Sequence, residues 1–411
     1  MKILLYTDLT IPPDQLFWHR DLGLLTQAFR DLGHNALLVV HPAGDTSSKI
    51  KNSGAKHKIT TAGGAYHNGR GQVLGANPKS IIQNDPVLWP SPTDVRNPVW
   101  WQSQKPDLVI LGLWTRPKYD PIRRAALSAT PHVIERADSD GMRTASCGLL
   151  TYAKRRFDYF RDHTYRWPSP LSIPASILYS FASICATPWI ETRLARTLKL
   201  LPAVAVETPH ATVLWESLAT RLGADPEKIH CVPHPIQTDI FKFDPAIPKK
   251  NQIISVGRWE SYQKNLPLLL KTLRTFLDKN PTWTSLVIGS GLPTISPHPR
   301  ITFLSSTGPN QLARHMQESK IFLFSSRYES FLMSGVEALS CGCAVVGPSE
   351  VPVLGNDPLP PKDSFGGSTF NLLAQKIQNA SASRSFATSM VEADRPCSPR
   401  TIAQSIFHFC S

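Results

Sequence analysis

The chain has 411 residues, with 44 Lys and Arg against 31 Asp and Glu, a formal net charge of +13 and a pI near 9.5. At about 100–200 residues per domain this length predicts two domains, and 41% hydrophobic residues supply apolar content for two cores. The basic balance favours anionic partners, namely nucleotides, nucleic acid or an acidic membrane surface. Seven cysteines without paired spacing argue against a disulfide framework, and Cys341-x-Cys343 is too tight for a zinc knuckle. A reducing, cytoplasmic compartment is therefore expected.

Met1 to Tyr6 reads as a short apolar strand; Asp8 arrives too early for the apolar core of a signal peptide. Leu22, Leu25, Phe29 and Leu32 follow at helical spacing, and Gly33-His34 ends that helix as a C-terminal glycine cap does. Ala36 to Val40 is the next strand, which completes a parallel βαβ unit. Residues 43–104 read as irregular, rich in Gly, Ser, Pro and Trp. Leu108–Leu113, Pro131–Ile134 and Ala203–Val206 read as further strands, and 211–222 as a helix ending at Gly223.

The uncharged run 171–190 lies between two basic clusters: Lys154, Arg155, Arg156, Arg161 and Arg166 before it, Arg193, Arg196 and Lys199 after it. Its length would span a bilayer, but two prolines and four serines make it a poor span. Three readings stay open: a buried or domain-edge helical segment, an interfacial segment dipping into a membrane surface, and a transmembrane helix. No repeat of 20 to 50 residues is visible.

The second half opens with the strand Ile253-Ile254-Ser255-Val256, followed by Gly257-Arg258, a loop through Lys264-Asn265, and a helix carrying Leu266, Leu269, Leu270, Leu273 and Leu277. Ser285 to Gly291 reads as a strand and glycine turn, Ile301–Leu304 as a strand, and 309–319 as a helix. The apolar run Ile321–Phe324 then leads into Ser326-Arg327-Tyr328-Glu329-Ser330-Phe331-Leu332-Met333-Ser334-Gly335-Val336-Glu337-Ala338-Leu339, a Cys-Gly-Cys turn, and a second apolar run. Strand, loop, helix, turn, strand places Glu329 in the loop at a strand's carboxyl end and Glu337 about two turns into the helix. Ligands of open α/β sheets bind at that edge, where a helix N-terminus offers unpaired N–H groups and a positive dipole end to an anion. Two carboxylates beside an anion site fit a ligand with hydroxyls on both sides of a phosphate, such as a nucleotide sugar.

This string resembles the E-x7-E signature of retaining glycosyltransferases of the GT-B fold, family 4 in particular. The resemblance covers most of the second half. It covers the segment Lys228 to Phe241 less closely: Pro233 and Phe241 match the family's crossover strand, while His234, Pro235 and Gln237 replace its Asn, Gly and Asp. It is weakest over the first half, where the glycine pair usual after the first strand is absent between Asp8 and Arg20. The resemblance implies an α/β fold of two Rossmann-like domains with parallel sheets facing a central cleft. Their expected bounds are 1–243 for the acceptor side and 244–395 for the nucleotide-sugar side, with 396–411 crossing back to the first domain.

By the same resemblance, Gly257, Arg258 and Lys264 meet the donor diphosphate, where an arginine fork and a lysine point charge stabilise the leaving group. Glu337 binds the ribose hydroxyls and Glu329 the donor sugar. Ser290 of the glycine turn and the backbone N–H groups at Phe331 and Leu332 complete the donor site. The family commonly has glycine where Leu332 stands. Asp140, or Asp138, would lie beside the reacting sugar. The same Asp138-Ser139-Asp140 reads alternatively as a capped turn, or as the D-x-D metal site of a different glycosyltransferase architecture. Trp18, His19 and Arg20 are further cleft candidates. The Arg-Lys and glutamate pairs imply a metal-free site with no cofactor. The expected function is transfer of a sugar from a nucleotide sugar to a hydroxyl acceptor, glycan or lipid-linked, at the cytoplasmic side and peripheral to a membrane. The alternatives are a degenerate, non-catalytic nucleotide-sugar-binding protein and a nucleotide-sugar epimerase. Nothing in the resemblance points to nucleic acid.

Overall fold

The computed structural model describes residues 1–11, 21–42, 87–113, 117–137, 149–164, 168–305, 307–329, 331–348 and 398–407. Strands β1 (Lys2–Ile11), β2 (Asn35–Pro42), β3 (Val87–Leu88), β4 (Leu108–Gly112), β5 (Val133–Ala137), β6 (Ala203–Val206) and β7 (Ile229–Cys231) form one parallel sheet in the order β3-β2-β1-β4-β5-β6-β7. Strands β8 (Lys250–Arg258), β9 (Thr284–Ser290), β10 (Ile301–Leu304), β11 (Ser319–Leu323) and β12 (Ala344–Val346) form a second, in the order β10-β9-β8-β11-β12. In each sheet the order reverses beside its first strand, between β1 and β4 and between β8 and β11. Those two switch points open crevices at the carboxyl ends of the strands.

Both faces of each sheet are buried, as near-continuous apolar strands require. Ile3 and Leu5 of β1 enter one core with Leu25 and Phe29 of α1 (Asp21–Asp31); Leu4 and Tyr6 enter the opposite core with Trp101 and Ile122. In the second sheet Ile254, Ile288 and Phe322 face one core, while Ile253, Val287, Ile321 and Leu323 face the other. Helix α1 closes with Gly33 at φ 86°, its N–H donating to Arg30 O at 2.9 Å, and His34 N donating to Phe29 O at 3.0 Å. Val232 packs in the first-sheet core, whereas Ile236 and Phe241 pack in the second, so the chain changes cores over 233–235.

Residues 43–104 are not irregular throughout. Besides β3 they contain α2 (Pro98–Gln104), started by Asn97, whose side chain accepts from Val99 N at 3.0 Å. Trp101 of this helix is fully buried and donates to Val95 O at 2.8 Å. Seven residues with adjacent tryptophans leave no helical period to read. Helix α3 (Asp120–Leu127) follows β4, and buried Arg123 pairs with Glu135 of β5.

Three helices sit between β5 and β6: α4 (Leu149–His163), α5 (Ser169–Cys185) and α6 (Thr187–Leu200). The buried side of α5 consists of Ser172, Ser176, Ser180 and Ser183, while Leu171, Ile173, Ile177, Leu178 and Phe181 are exposed. Of the buried or domain-edge reading of 171–190, burial is excluded and a helix at the edge of the first unit is what stands: small serines allow close packing on α4, and the apolar stripe faces away. Among the described residues no single helix is long and apolar enough to cross a membrane, and α5 and α6 together are bent by 58°. Helix α7 (Pro209–Arg221) lies between β6 and β7; α8 (Leu266–Lys279), α9 (Pro309–Glu318) and α10 (Met333–Ser340) follow β8, β10 and β11 in the second unit. The last helix, α11 (Pro399–Phe407), contributes Ile402, Ala403 and Ile406 to the first-sheet core beside α1.

Candidate active site

The second-sheet crevice is built from the ends of β8, β9 and β11. Gly257 pairs with Gly289 and Arg258 with Ser290, which carries parallel pairing to the last residue of both strands. Gly289 has φ 140°, and a Cβ there would lie 1.8 Å from Gly257 O, so only glycine permits this approach. Trp259 then turns into the core, its indole donating to Ile288 O at 2.9 Å. Arg258 is left exposed at the sheet edge. The hydroxyl of Ser290 donates to both carboxylate oxygens of Glu260, each at 2.9 Å.

The loop after β11 is fastened to the loop after β8. Ser325 Oγ donates to Lys264 O at 2.7 Å, Arg327 N to Gln263 O at 2.8 Å, and Gln263 Nε2 to Tyr328 O at 2.9 Å. These bonds bring Lys264 Nζ to 2.5 Å from Glu329 Oε1. Ser326 Oγ donates to the same oxygen, and Gln263 Nε2 lies 3.3 Å from Oε2. Glu329 is 7% exposed, so every one of these partners offsets the burial of its charge. Lys264 and Glu329, which the resemblance assigns separately to phosphate and sugar, form one ion pair.

Two helices begin at this edge, and both begin in the same uncommon way. Asn265, before α8, has φ 54° and ψ 52°; Leu332, before α10, has φ 58° and ψ 60°; neither provides a side-chain cap. In α10 the Met333 and Ser334 N–H groups precede the first bonded one, Gly335, and are thus left to a ligand or solvent; in α8 only Leu266 offers one, because Pro267 has no N–H and Leu268 N donates to Asn265 O at 3.1 Å. The positive end of each dipole lies at the crevice. The left-handed conformation costs an ordinary residue about 1–2 kcal/mol. Leu332 holds it because its side chain is buried in the second core, against Gly335. Phe331 is buried too, and the Gly335 N–H donates to Leu332 O at 2.8 Å. Glu337 is half-buried as the fifth residue of α10, little more than one turn in rather than two, because the helix starts at Met333.

Helix α4 of the first unit reaches this loop. Asp162 accepts from Ser261 Oγ at 2.6 Å and from Gln263 N at 3.2 Å. The guanidinium groups of Arg161 and Arg327 lie 5.2 and 4.2 Å from the Tyr262 ring centre. Burial, with Asp162, Asp158 and Glu329 nearby, pushes the Tyr328 phenol well above its usual range. Burial also raises the Asp158 carboxyl.

A second cluster faces the crevice from the first unit and was missed in the sequence. Arg136 of β5 pairs through Nε with Asp21 Oδ1 at 2.8 Å and donates to Pro233 O at 2.6 Å. His234 Nδ1 lies 3.0 Å from the same Asp21 oxygen, and its ring meets Phe331 edge-on at 5.2 Å. Burial alone would raise Asp21; the charges and hydrogen bonds of Arg136 and His234 overcome it and hold the carboxyl well below the usual range. His234 was visible only as a departure from the family's crossover strand, and Asp21 and Arg136 carried no motif.

Of the residues singled out in the sequence, the structure joins Lys264 to Glu329. It puts Gly257, Arg258 and Ser290 on adjacent strand ends, and Phe331 and Leu332 at the start of the helix that carries Glu337. Asp138, Asp140, Trp18, His19 and Arg20 lie outside the described residues. Among the described residues no cluster of three or more His, Cys, Asp or Glu could hold a metal ion.

Residues 250–353, about a quarter of the chain, match the family described as Glycosyl transferases group 1. None of the curated proteins matches the sequence. Among solved structures, the chain is similar to Anabaena Alr3699/HepE in complex with UDP-glucose, at 13% identity and a TM-score of 0.55, covering 100% of this chain and 99% of that one. It is similar to the α,α-trehalose 6-phosphate synthase of Burkholderia multivorans at 9% identity and TM-score 0.54, over 99% and 97% of the chains. WaaG, a glycosyltransferase involved in lipopolysaccharide biosynthesis, gives 12% identity and TM-score 0.51 over 98% and 99%. The two-sheet architecture is the GT-B fold.

Proposed function

We propose that the protein transfers a sugar from a nucleotide-sugar donor to a hydroxyl acceptor, with retention at the anomeric carbon. The observation that carries this reading is the Lys264–Glu329 pair at the β8–β11 switch point, flanked by two helix N-termini without side-chain caps. It lies within the segment that matches the glycosyltransferase family, and HepE, which shares the fold, was solved with UDP-glucose.

In this reading the anomeric carbon–phosphate bond breaks and the new bond to the acceptor oxygen forms on the same face, while the acceptor proton passes to the departing phosphate oxygen. Negative charge grows on the nucleoside diphosphate as it leaves. Arg258 and Lys264 meet it, with the N–H groups at Phe331 and Leu332, and stabilise the transition state more than the bound donor. Glu337 accepts from the ribose hydroxyls and Glu329 from those of the sugar. These cations stand where a divalent ion would otherwise neutralise the diphosphate, so the reaction is proposed to be metal-independent.

Mass spectrometry of products from a panel of nucleotide sugars, with glycan and lipid-linked acceptors, tests the proposal. A sugar-extended acceptor and stoichiometric nucleoside diphosphate are expected. Donor binding without nucleotide release under every condition would replace it with the binding-only reading.

A further inference from the structure

We infer that α5 and the start of α6 form a docking surface for an anionic lipid bilayer, lying on the membrane with the apolar face of α5 inserted. Eight of the twelve exposed large hydrophobic side chains among the described residues fall between Leu149 and Trp189. They are Leu149, Leu150, Leu171, Ile173, Ile177, Leu178, Phe181 and Trp189. On α5 the spacing Leu171, Leu178, Phe181 continues through exposed Cys185 to Trp189 of α6, one stripe across the 58° bend. Leu178 is 68% exposed, Phe181 63% and Trp189 60%. A contiguous apolar patch of this kind marks an interaction site on a soluble fold.

The serines on the opposite side show that this orientation is built in. Ser180 Oγ donates to Ala153 O of α4 at 2.7 Å. Arg156 of α4 donates to Ser183 Oγ and to the Tyr179 hydroxyl, and Tyr179 stacks on Phe160 at 4.7 Å. Rotating α5 to bury its apolar stripe would break all of these contacts.

Charge selects the occupant. From α4 to α6, Lys154, Arg193, Arg196 and Lys199 are exposed. The three acidic residues there are turned elsewhere: Asp158 is buried, Asp162 holds Ser261, and Glu191 pairs with Arg221 at 2.6 Å. The Arg193 guanidinium lies 4.1 Å from the Trp189 ring centre. Beyond it, Lys118, Asp120, Arg193 and Arg196 line a cleft of about 290 Å³. Three cations beside an interfacial tryptophan match a headgroup phosphate above an acyl boundary. An apolar stripe with a basic rim matches an anionic bilayer better than another protein face; α5 alone is too short to span one, and the pair α5–α6, long and apolar enough together, is bent by 58°. The same α4 that supports the stripe holds the Lys264 loop through Asp162, so docking would set the crevice close to a lipid-linked acceptor.

Co-sedimentation of the full-length protein with vesicles of phosphatidylcholine alone, and with phosphatidylglycerol added, tests this without any donor sugar. The result is therefore independent of catalysis. Sedimentation with the anionic vesicles at low salt, weakened in high salt, is expected. Leu178→Glu with Phe181→Glu should abolish it while leaving the thermal melting temperature unchanged, since both side chains are exposed. Arg193→Ser with Arg196→Ser should reduce it by up to about fivefold per residue, the weight of one cation at an anionic surface. No sedimentation at low salt, or equal sedimentation of wild type and the double glutamate variant, would overturn the inference. So would a wild-type dimer in solution that the glutamate variant converts to monomer, which would assign the stripe to a second copy.

Discussion

Leu332 keeps a backbone conformation that glycine adopts without strain, at the position where the resembling family commonly has glycine. Its side chain fills the second core, while its backbone leaves the start of α10 to the crevice. Around it the charged side chains divide by exposure. Arg258 is exposed, whereas Lys264 is held by Glu329, so both are expected to matter for turnover through the leaving diphosphate. Arg258→Ala and Lys264→Ala should each lower kcat by about 10²–10³, the cost of one preorganised donor. Steady-state rates near wild type in both variants would remove the diphosphate assignment. Glu337→Ala should mainly raise KM, because the ribose contact proposed for it would be made before and during transfer alike. Glu329→Ala should mainly lower kcat. A purely catalytic loss in both would undo that division.

At the scale of elements, the crevice depends on two strands staying paired to their ends. Gly289→Ala would place a methyl 1.8 Å from Gly257 O, at a φ of 140° that side chains rarely adopt. It should cost about 1–3 kcal/mol of overpacking and strain and abolish donor binding. Calorimetric titration with UDP and a thermal melt read the two effects together; wild-type values in both would show that the strand ends tolerate separation. The second unit was legible in the sequence because its strands are short apolar runs with glycine punctuation, and its site residues lie in one string around Glu329 and Glu337. The first-unit cluster was not, because Asp21, Arg136 and His234 come together only through the fold. Nor was the orientation of α5. A run of leucines and serines at helical spacing does not say which side faces the core; packing of Ser180 and Tyr179 on α4 decides it.

Over the whole molecule, burial sets a pH dependence. Burial holds the His230 and His315 imidazoles below their ordinary pKa, only partly offset by nearby Glu227 and Glu318. The unfolded chain therefore takes up protons near pH 6.5 while the folded protein does not, and stability falls as pH drops through that region. Asp21, depressed in the fold, adds no change until pH falls below its unfolded value near 4. The urea midpoint should thus be lower at pH 5.5 than at pH 7.5, and His315→Gln should flatten the difference; a higher midpoint at pH 5.5 would contradict the burial argument. Activity should also survive excess chelator. Loss restored by Mn²⁺ would instead promote Asp138 and Asp140 to metal ligands.

The two units meet where Asp162 of α4 holds the loop that carries Lys264, and where His234 touches Phe331. Those contacts set the first-unit wall against the crevice; in the proposed reaction, donor departure and acceptor attack would share a face. The most direct measurement is the anomeric configuration of the product, read by nuclear magnetic resonance from a donor whose sugar is α-linked to the nucleotide. An α-linked product is expected; a β-linked product would contradict retention and the same-face route through Arg258 and Lys264.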